Sequence, residues 1–374
     1  MNKPRLAAIE YIRGISMMGV IGIHVGSAYI GNPSANVHLI ALLDVFTRFS
    51  VPIFFFISAF GLFYHLDLRE PFHYLDFMKR RFRTVLIPYI FWSFLYIYAN
   101  SYFHQIPFPQ GMELLRFFFF GLAQYHLYFL VILLWFYLLM PLWIAMVRRM
   151  GKGSLLLLLT FQLAFNYFSS SYPDFYYFVA DLPEESALKP FLLYRLNYWV
   201  FHYLFIFLLG GWLSLRIHEF REFMRTRRTL ICLFFWATLL GLLGYYYELI
   251  YSGATPLEAV YTAHQLCLAG VFYTIAASLF FFTLFTDQKY PSYLNPLLSF
   301  LGRHSYFSYL AHPLFLTSYS LILAQSGRIM TAPIALFMYF SVLVSVLFAA
   351  VCFRHLGNHL PILNRLTIGI FTQK

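Results

Sequence analysis

Apolar residues in this chain do not alternate with polar ones; they gather in long runs separated by short polar or basic stretches. A helix needs about 20 such residues to cross the hydrocarbon core of a bilayer. The pattern predicts ten transmembrane helices, near 13–31, 45–66, 84–102, 125–147, 153–169, 197–216, 229–250, 264–286, 297–323 and 332–353. The shortest, 153–169, rests on the Leu155–Leu159 run. Two connections are longer than the rest, 103–124 and 170–196, the latter marked as turn-rich by Ser171-Tyr-Pro-Asp174 and Asp181-Leu-Pro-Glu-Glu185. In the former, Arg116 and Phe117–Phe120 read as an interfacial segment. No linker, low-complexity tract or internal repeat divides the chain, so residues 1–374 read as a single transmembrane domain with no appended soluble domain. The expected fold class is all-α, a polytopic integral membrane protein.

Composition removes the alternatives. Residues are 61% hydrophobic, 22% aromatic and 11% charged, whereas soluble domains carry roughly 25% charge. That is too little charge to cover a water-soluble globule, which excludes a soluble enzyme, a nucleic-acid-binding module and a disordered scaffold. The net charge of +11 is explained by its placement. The N-terminus, 67–83, 148–152, 216–228, 287–303 and the tail from 354 hold 21 of the 26 Lys and Arg. Arg48, Arg116, Lys189, Arg195 and Arg328 fall on the opposite side. Basic loops stay cytoplasmic, so both termini are expected in the cytoplasm. The first apolar run lacks an A-x-A-like cleavage site and reads as a retained span rather than a signal peptide. Cys232, Cys267 and Cys352 stand apart, with no CxxC or Cys/His pattern, so neither a disulfide framework nor a metal site is expected.

The polar residues inside apolar runs are the candidates for chemistry, because ionisable groups are costly in hydrocarbon. The first span holds Glu10, Arg13 and His24. The eleven-residue step from Arg13 to His24 comes to three turns plus about 20°, placing both on one face with His24 about 16 Å further along the axis. Gly19, Gly22 and Gly26 recur on that helix and let neighbours approach. Taken singly, Arg13 also reads as a snorkelling anchor and His24 as a hydrogen-bonded interhelical contact. Together they describe a buried imidazole behind a cationic mouth, and a neutral imidazole can take a proton from a hydroxyl.

The ninth span carries Ser305, Ser308, Tyr309, His312 and Pro313. Ser305 and His312 share a face, and Pro313 frees the carbonyl of Tyr309; a proline kink with a satisfied histidine is the plainer alternative. Between the second and third spans lies Lys79-Arg80-Arg81-Phe82-Arg83. The topology rule alone accounts for such a cluster, yet arginines also pair bidentately with phosphate, which suits a phosphorylated cytosolic ligand. His126 opens the fourth span, where it would face an extracytoplasmic substrate. Tyr and Trp near span ends read as an interfacial belt.

At these residues the sequence resembles the acyltransferase type 3 family of bacterial integral-membrane O-acyltransferases. Glu10-x-x-Arg13, ten residues and His24 resemble the family's acidic-x-x-R-x10-H signature. Phe54-Phe-Phe-Ile-Ser58-Ala-Phe60 resembles its F-F-x-x-S-G-F, with Ala59 in place of glycine. Lys79 to Ser93, KRRFRTVLIPYIFWS, resembles the basic segment before the third span, although Thr84 replaces a residue that is often basic. Tyr125-His-Leu-Tyr-Phe129 through Pro141-Leu142, and Leu301-Gly302 through His312-Pro313, match two later segments.

The resemblance implies transfer of an acyl group, most often acetyl, from cytosolic acyl-CoA to a hydroxyl of an extracytoplasmic or cell-envelope carbohydrate, in the bacterial cytoplasmic membrane. It implies His24 as general base or acyl carrier, Arg13 orienting the donor and Glu10 holding Arg13. Arg80 and Arg83 would bind coenzyme A phosphates, and Ser305, Tyr309, His312 and His126 would line the acceptor path. No bound cofactor, metal or nucleic acid is implied. The expected partners are the lipid bilayer, acyl-CoA, the carbohydrate acceptor and a separate extracytoplasmic transfer protein where a relay is required. The Ile87-Pro-Tyr-Ile-Phe-Trp92 and Tyr125–Phe129 stretches also resemble exporters of poly-N-acetylglucosamine, and export is the alternative function.

Overall fold

The computed structural model describes residues 4–32, 35–67, 70–288 and 290–370, and it is helical with no strand among those residues. Among the described residues, seven helices are long and apolar enough to cross a bilayer: α1 (Ala7–Ile30), α2 (Val37–Tyr64), α3 (Tyr74–Phe103), and, later in the chain, Arg228–Tyr251, Leu268–Asp287, Leu294–Gln325 and Ala332–His359. Between them lie two bent pairs. α4 (Tyr128–Leu138) and α5 (Met140–Arg149) meet at 67°, while α7 (Val200–Leu215) and α8 (Ile217–Thr226) meet at 98°. Counting each pair as one span gives nine. The predicted 153–169 span is α6 (Lys152–Asn166), which continues without a break through the π-helical turn Tyr167–Ser171, long enough to reach the hydrocarbon thickness of about 30 Å, but it is not among the seven apolar helices.

The bends have local causes. Pro141 sits in the first turn of α5 and supplies no N–H to continue the ladder from α4. After α7, Arg216 leaves helical geometry (φ −109°, ψ 39°) with its guanidinium 4.4 Å from the centre of the Trp212 ring. Beyond the bend, α8 buries Phe220 and Met224 and exposes Arg221, Glu222 and Arg225, the pattern of a helix lying at an interface. The segment around Phe117–Phe120 forms the ten-residue helix Gly111–Phe120, too short to cross, in accord with its interfacial reading.

The remaining long helices are α9 (Arg228–Tyr251), α11 (Leu268–Asp287), α12 (Leu294–Gln325) and α13 (Ala332–His359), with the short α10 (Pro256–Thr262) before α11. The chain forms two compact units. The first takes residues 1–66, 155–167 and 205–350. In it α1 lies against both α2 and α12. Its contacts with α12 advance together, from Glu10 on Ser299 and Gly302 to His24 on His312, so these helices run parallel. Its contacts with α2 run in opposite order, Gly19 on Ser50 and Gly26 on Asp44, so that pair is antiparallel. Hydrocarbon gives little hydrophobic drive between helices, so close contact carries the packing. Behind α2, the rings of Phe56, Phe60, Phe220 and Phe282 pack edge to face and tilted, with centroids 4.5 to 6.3 Å apart.

The second unit takes residues 67–154, 168–204 and 351–374. It is tied by tyrosine, tryptophan and asparagine donors to helix-end carbonyls: Tyr89 to Phe118 (2.6 Å), Asn197 to Phe120 (3.1 Å), Tyr74 to Leu138 (3.0 Å) and Trp92 to Thr367 (3.0 Å). The turn-rich connection predicted at 170–196 is pinned by Arg195, whose guanidinium donates to the carbonyl oxygens of Ser169 (2.7 Å) and Leu192 (2.9 Å) and stacks on Phe175.

Candidate active site

The first unit brings two of the predicted histidines together. The rings of His24 and His312 stack with centroids 5.2 Å apart and 18° between their planes. His312 is fully buried, and His24 is partly accessible. Nδ1 of His312 lies 2.8 Å from the carbonyl oxygen of Tyr309 and 3.2 Å from that of Ser308. A carbonyl oxygen only accepts, so Nδ1 carries the proton and Nε2 of the neutral ring presents a lone pair. Pro313 is the reason Tyr309 has a carbonyl to offer, because the proline nitrogen cannot donate to it. One turn earlier, the buried hydroxyl of Ser308 has no hydrogen-bond partner among the described residues.

The other predicted residues of this unit surround the stack or lead to it. Ser305 donates to the Gly302 carbonyl at 2.8 Å, which holds its hydroxyl along α12. Tyr309 is buried, with its ring edge-on to Phe54 at 6.3 Å. Toward the start of α1, Glu10 accepts a hydrogen bond from Ser299 at 2.7 Å and pairs with Arg5 at 3.6 Å. Arg13 follows one turn later, half-buried. The close approach that sets this geometry needs Gly302, because a side-chain carbon there would overlap the Glu10 carbonyl oxygen.

Arg80, Arg83 and His126 belong to the second unit. Arg81, in the middle of the basic cluster, packs its guanidinium over Phe77 and Tyr137 at 5.1 Å from each ring centre. That leaves Arg80 and Arg83 as the exposed pair. They flank the start of a π-helical stretch, Phe82–Leu86, so the cluster does not follow one helical face. His126 is 2% exposed, with ring contacts to Tyr96 at 5.5 Å and Tyr125 at 5.8 Å.

Sequence reasoning missed a second polar group in the first unit. Asp44 and Arg48, one turn apart in α2, form a buried ion pair of 2.6 Å. Arg48 also donates to Gln265 Oε1 (3.1 Å) and to the Val260 carbonyl (3.2 Å). Beside them, in the connection between α10 and α11, burial and the nearby Arg48 cation lower the His264 pKa to about 4. Its Nδ1 accepts from the Leu266 amide at 2.9 Å. The i, i+4 acid–base spacing inside an apolar run was the available signal, but Arg48 entered the sequence reading only as a topology charge.

A family model described as an acyltransferase domain matches residues 6–354. No curated protein and no solved structure matches the chain. The matched region runs from the start of α1 into the last turns of α13, and so includes both stacked histidines and the Arg80–Arg83 segment. The chain therefore belongs to the acyltransferase type 3 family and is a multi-pass membrane acyltransferase, moving groups other than amino-acyl groups.

Proposed function

We propose that this protein transfers an acyl group, acetyl foremost, from cytosolic acyl-CoA to a hydroxyl of an extracytoplasmic or cell-envelope carbohydrate, across the bacterial cytoplasmic membrane. The observation that carries the reading is the His24–His312 stack, with the His312 tautomer set by the Tyr309 carbonyl. His24, the accessible ring, takes the acceptor's hydroxyl proton as that oxygen attacks the thioester carbonyl carbon. The new C–O ester bond forms and the C–S bond breaks. The proton passes from His24 to the departing sulfur, leaving coenzyme A as the free thiol. Two rings in face contact hold one proton rather than two, because like charges at that distance repel.

Arg13 orients the donor, and Glu10 helps to hold the start of α1 against α12. Ser305, Tyr309 and His312 line the acceptor path in the first unit, and His126 is assigned to that path on family resemblance. Mass spectrometry of envelope and extracellular glycans from cells with and without the gene tests the reading. The expected result is loss of one acyl group per modified unit when the gene is absent. Identical spectra would refute acyl transfer to these glycans.

Arg80 and Arg83 are assigned to the phosphates of coenzyme A, since guanidinium forks match phosphate oxygens. Replacing both with alanine should raise the KM for acetyl-CoA at least tenfold, with kcat little changed and a weaker dependence of KM on salt. Arg81→Ala should lower the thermal midpoint in detergent without that rise in KM, because its cation sits on Phe77 and Tyr137. A KM that responds to Arg81 and not to the flanking pair would reassign the phosphate site.

A further inference from the structure

The Asp44–Arg48 pair does more than satisfy itself. It sits where α2 departs from regular helix: Ala41–Val45 is a π-helical turn, with the Phe46 amide donating to the Ala41 carbonyl at 2.9 Å. The Thr47 hydroxyl donates to the Leu43 carbonyl at 2.6 Å, which helps to hold the widened turn. Such turns re-aim side chains and recur at functional sites. The same stretch of α2 lies along α1 beside His24, with Leu43 facing Gly22 and Gly26 and Asp44 facing Gly26. The Arg48 cation acts electrostatically on both His24 and His264.

A guanidinium has five N–H donors. The bonds to Gln265 and Val260 engage one N–H on each terminal nitrogen, while Nε faces Asp44 at 2.6 Å as an ion pair outside hydrogen-bond geometry. Two N–H groups, one on each terminal nitrogen, have no acceptor among the described residues. Burying donors without partners costs free energy, so two reserved donors in a largely buried fork point to a ligand that supplies the acceptors. The pair is neutral overall, and Asp44 repels a further anion. The matching ligand is therefore an uncharged polyol with neighbouring oxygens, rather than a carboxylate or a phosphate.

We propose that the Asp44–Arg48 pair is an acceptor-docking site, in which the two reserved N–H groups of Arg48 bind adjacent hydroxyl oxygens of the carbohydrate and present one of those hydroxyls to His24. This rests on the acyl-transfer reading above and adds the group that positions the acceptor. Gln265 and the Val260 carbonyl fix the fork from the α10–α11 connection, and Asp44 sets its plane.

The test uses vesicles from cells lacking the chromosomal copy, which contain the native glycans, carrying either the full-length protein or a variant and supplied with radiolabelled acetyl-CoA. Arg48→Lys keeps the charge opposite Asp44 but loses the planar fork. The double variant D44L/R48M removes both charges together, a change that buried pairs commonly tolerate in stability. Label on glycan relative to label released as acetate should fall at least tenfold in Arg48→Lys and further in the double variant. Coenzyme A affinity, measured on the purified variants, should stay within twofold. A parallel fall in both label products, or a ratio within threefold of wild type in both variants, would make the pair structural and overturn the proposal. Loss of coenzyme A affinity would move Arg48 to the donor side and overturn it equally. If the double variant does not insert, Arg48→Lys decides alone. Wild-type vesicles that consume no acetyl-CoA would refute the acyl-transfer reading itself, and this inference with it.

Discussion

Replacing His24 with alanine should lower acyl transfer about a thousandfold while leaving the protein inserted and folded. A positioned general base contributes about 100- to 10,000-fold, and a thousandfold loss corresponds to about 4 kcal/mol of transition-state stabilisation. The side chain is partly accessible, so its truncation opens little closed cavity, and the thermal midpoint in detergent should change by only a few degrees. Coenzyme A binding should persist, because the proposed phosphate contacts lie at Arg80 and Arg83. The stacked partner gives the assignment a second edge. His312→Ala alone should cost about a hundredfold, and adding it to His24→Ala should cost little more, since groups acting as a unit are far from additive. Acyl transfer assayed with radiolabelled acetyl-CoA on matched amounts of inserted protein measures all three variants. More than a tenth of wild-type transfer in His24→Ala would remove His24 from the chemistry. Independent, multiplying losses would mean that the two rings do not work as a pair.

The sequence disclosed those elements whose cause is local. Apolar runs announced the helices, and the same-face spacing of Arg13 and His24 marked the side of α1 that meets His312. Pro313 marked the carbonyl that sets the His312 tautomer, and the spaced Arg80 and Arg83 survived as the exposed pair once Arg81 packed on aromatic rings. What stayed hidden depends on partners remote in sequence. Nothing local tells that the histidine of the first span meets the one near the chain's end, or that Arg48 finds Gln265 and Val260. Hydropathy averages over a window, so a 28-residue helix that includes Asp44 and Arg48 still scores as apolar, and the widened turn that aims the pair leaves no trace in residue type. The bends after Leu138 and Leu215 have local causes, at Pro141 and Arg216, but a window long enough to detect a span smooths over them. Glu10 shows the same limit: nothing near it in sequence announces that its carboxylate accepts from Ser299, 289 residues further along the chain.

Gly302→Leu should be the most damaging substitution that touches no proposed catalytic group. At this crossing α1 and α12 approach so closely that a side-chain carbon on Gly302 would overlap the Glu10 carbonyl oxygen and lie 2.6 Å from Glu10 Cγ. Gly14 on the facing helix is similarly confined, since a side-chain carbon added there would lie 2.8 Å from Leu301 Cβ and 2.9 Å from the Gly302 nitrogen. Backbone cannot yield as a flexible side-chain tip does, so a leucine must push the two parallel helices apart. Overpacking of this kind costs about 1–3 kcal/mol in stability. The functional cost is larger, because the same pair of helices holds His24 over His312, and a displacement of about 1 Å can reduce rate about a hundredfold. The expected outcome is a lowered thermal midpoint in detergent together with at least a hundredfold loss of transfer, with Gly302→Ala falling between leucine and wild type. Gly241 and Gly244 on α9 provide the contrast, since a side-chain carbon at either meets nothing within 4 Å. Alanine at those sites should leave transfer unchanged and stability unaltered or raised by up to about 1 kcal/mol. Wild-type transfer by Gly302→Leu would show that the α1–α12 spacing does not set the histidine geometry, and the stack would then have to be held by α2 and its neighbours instead.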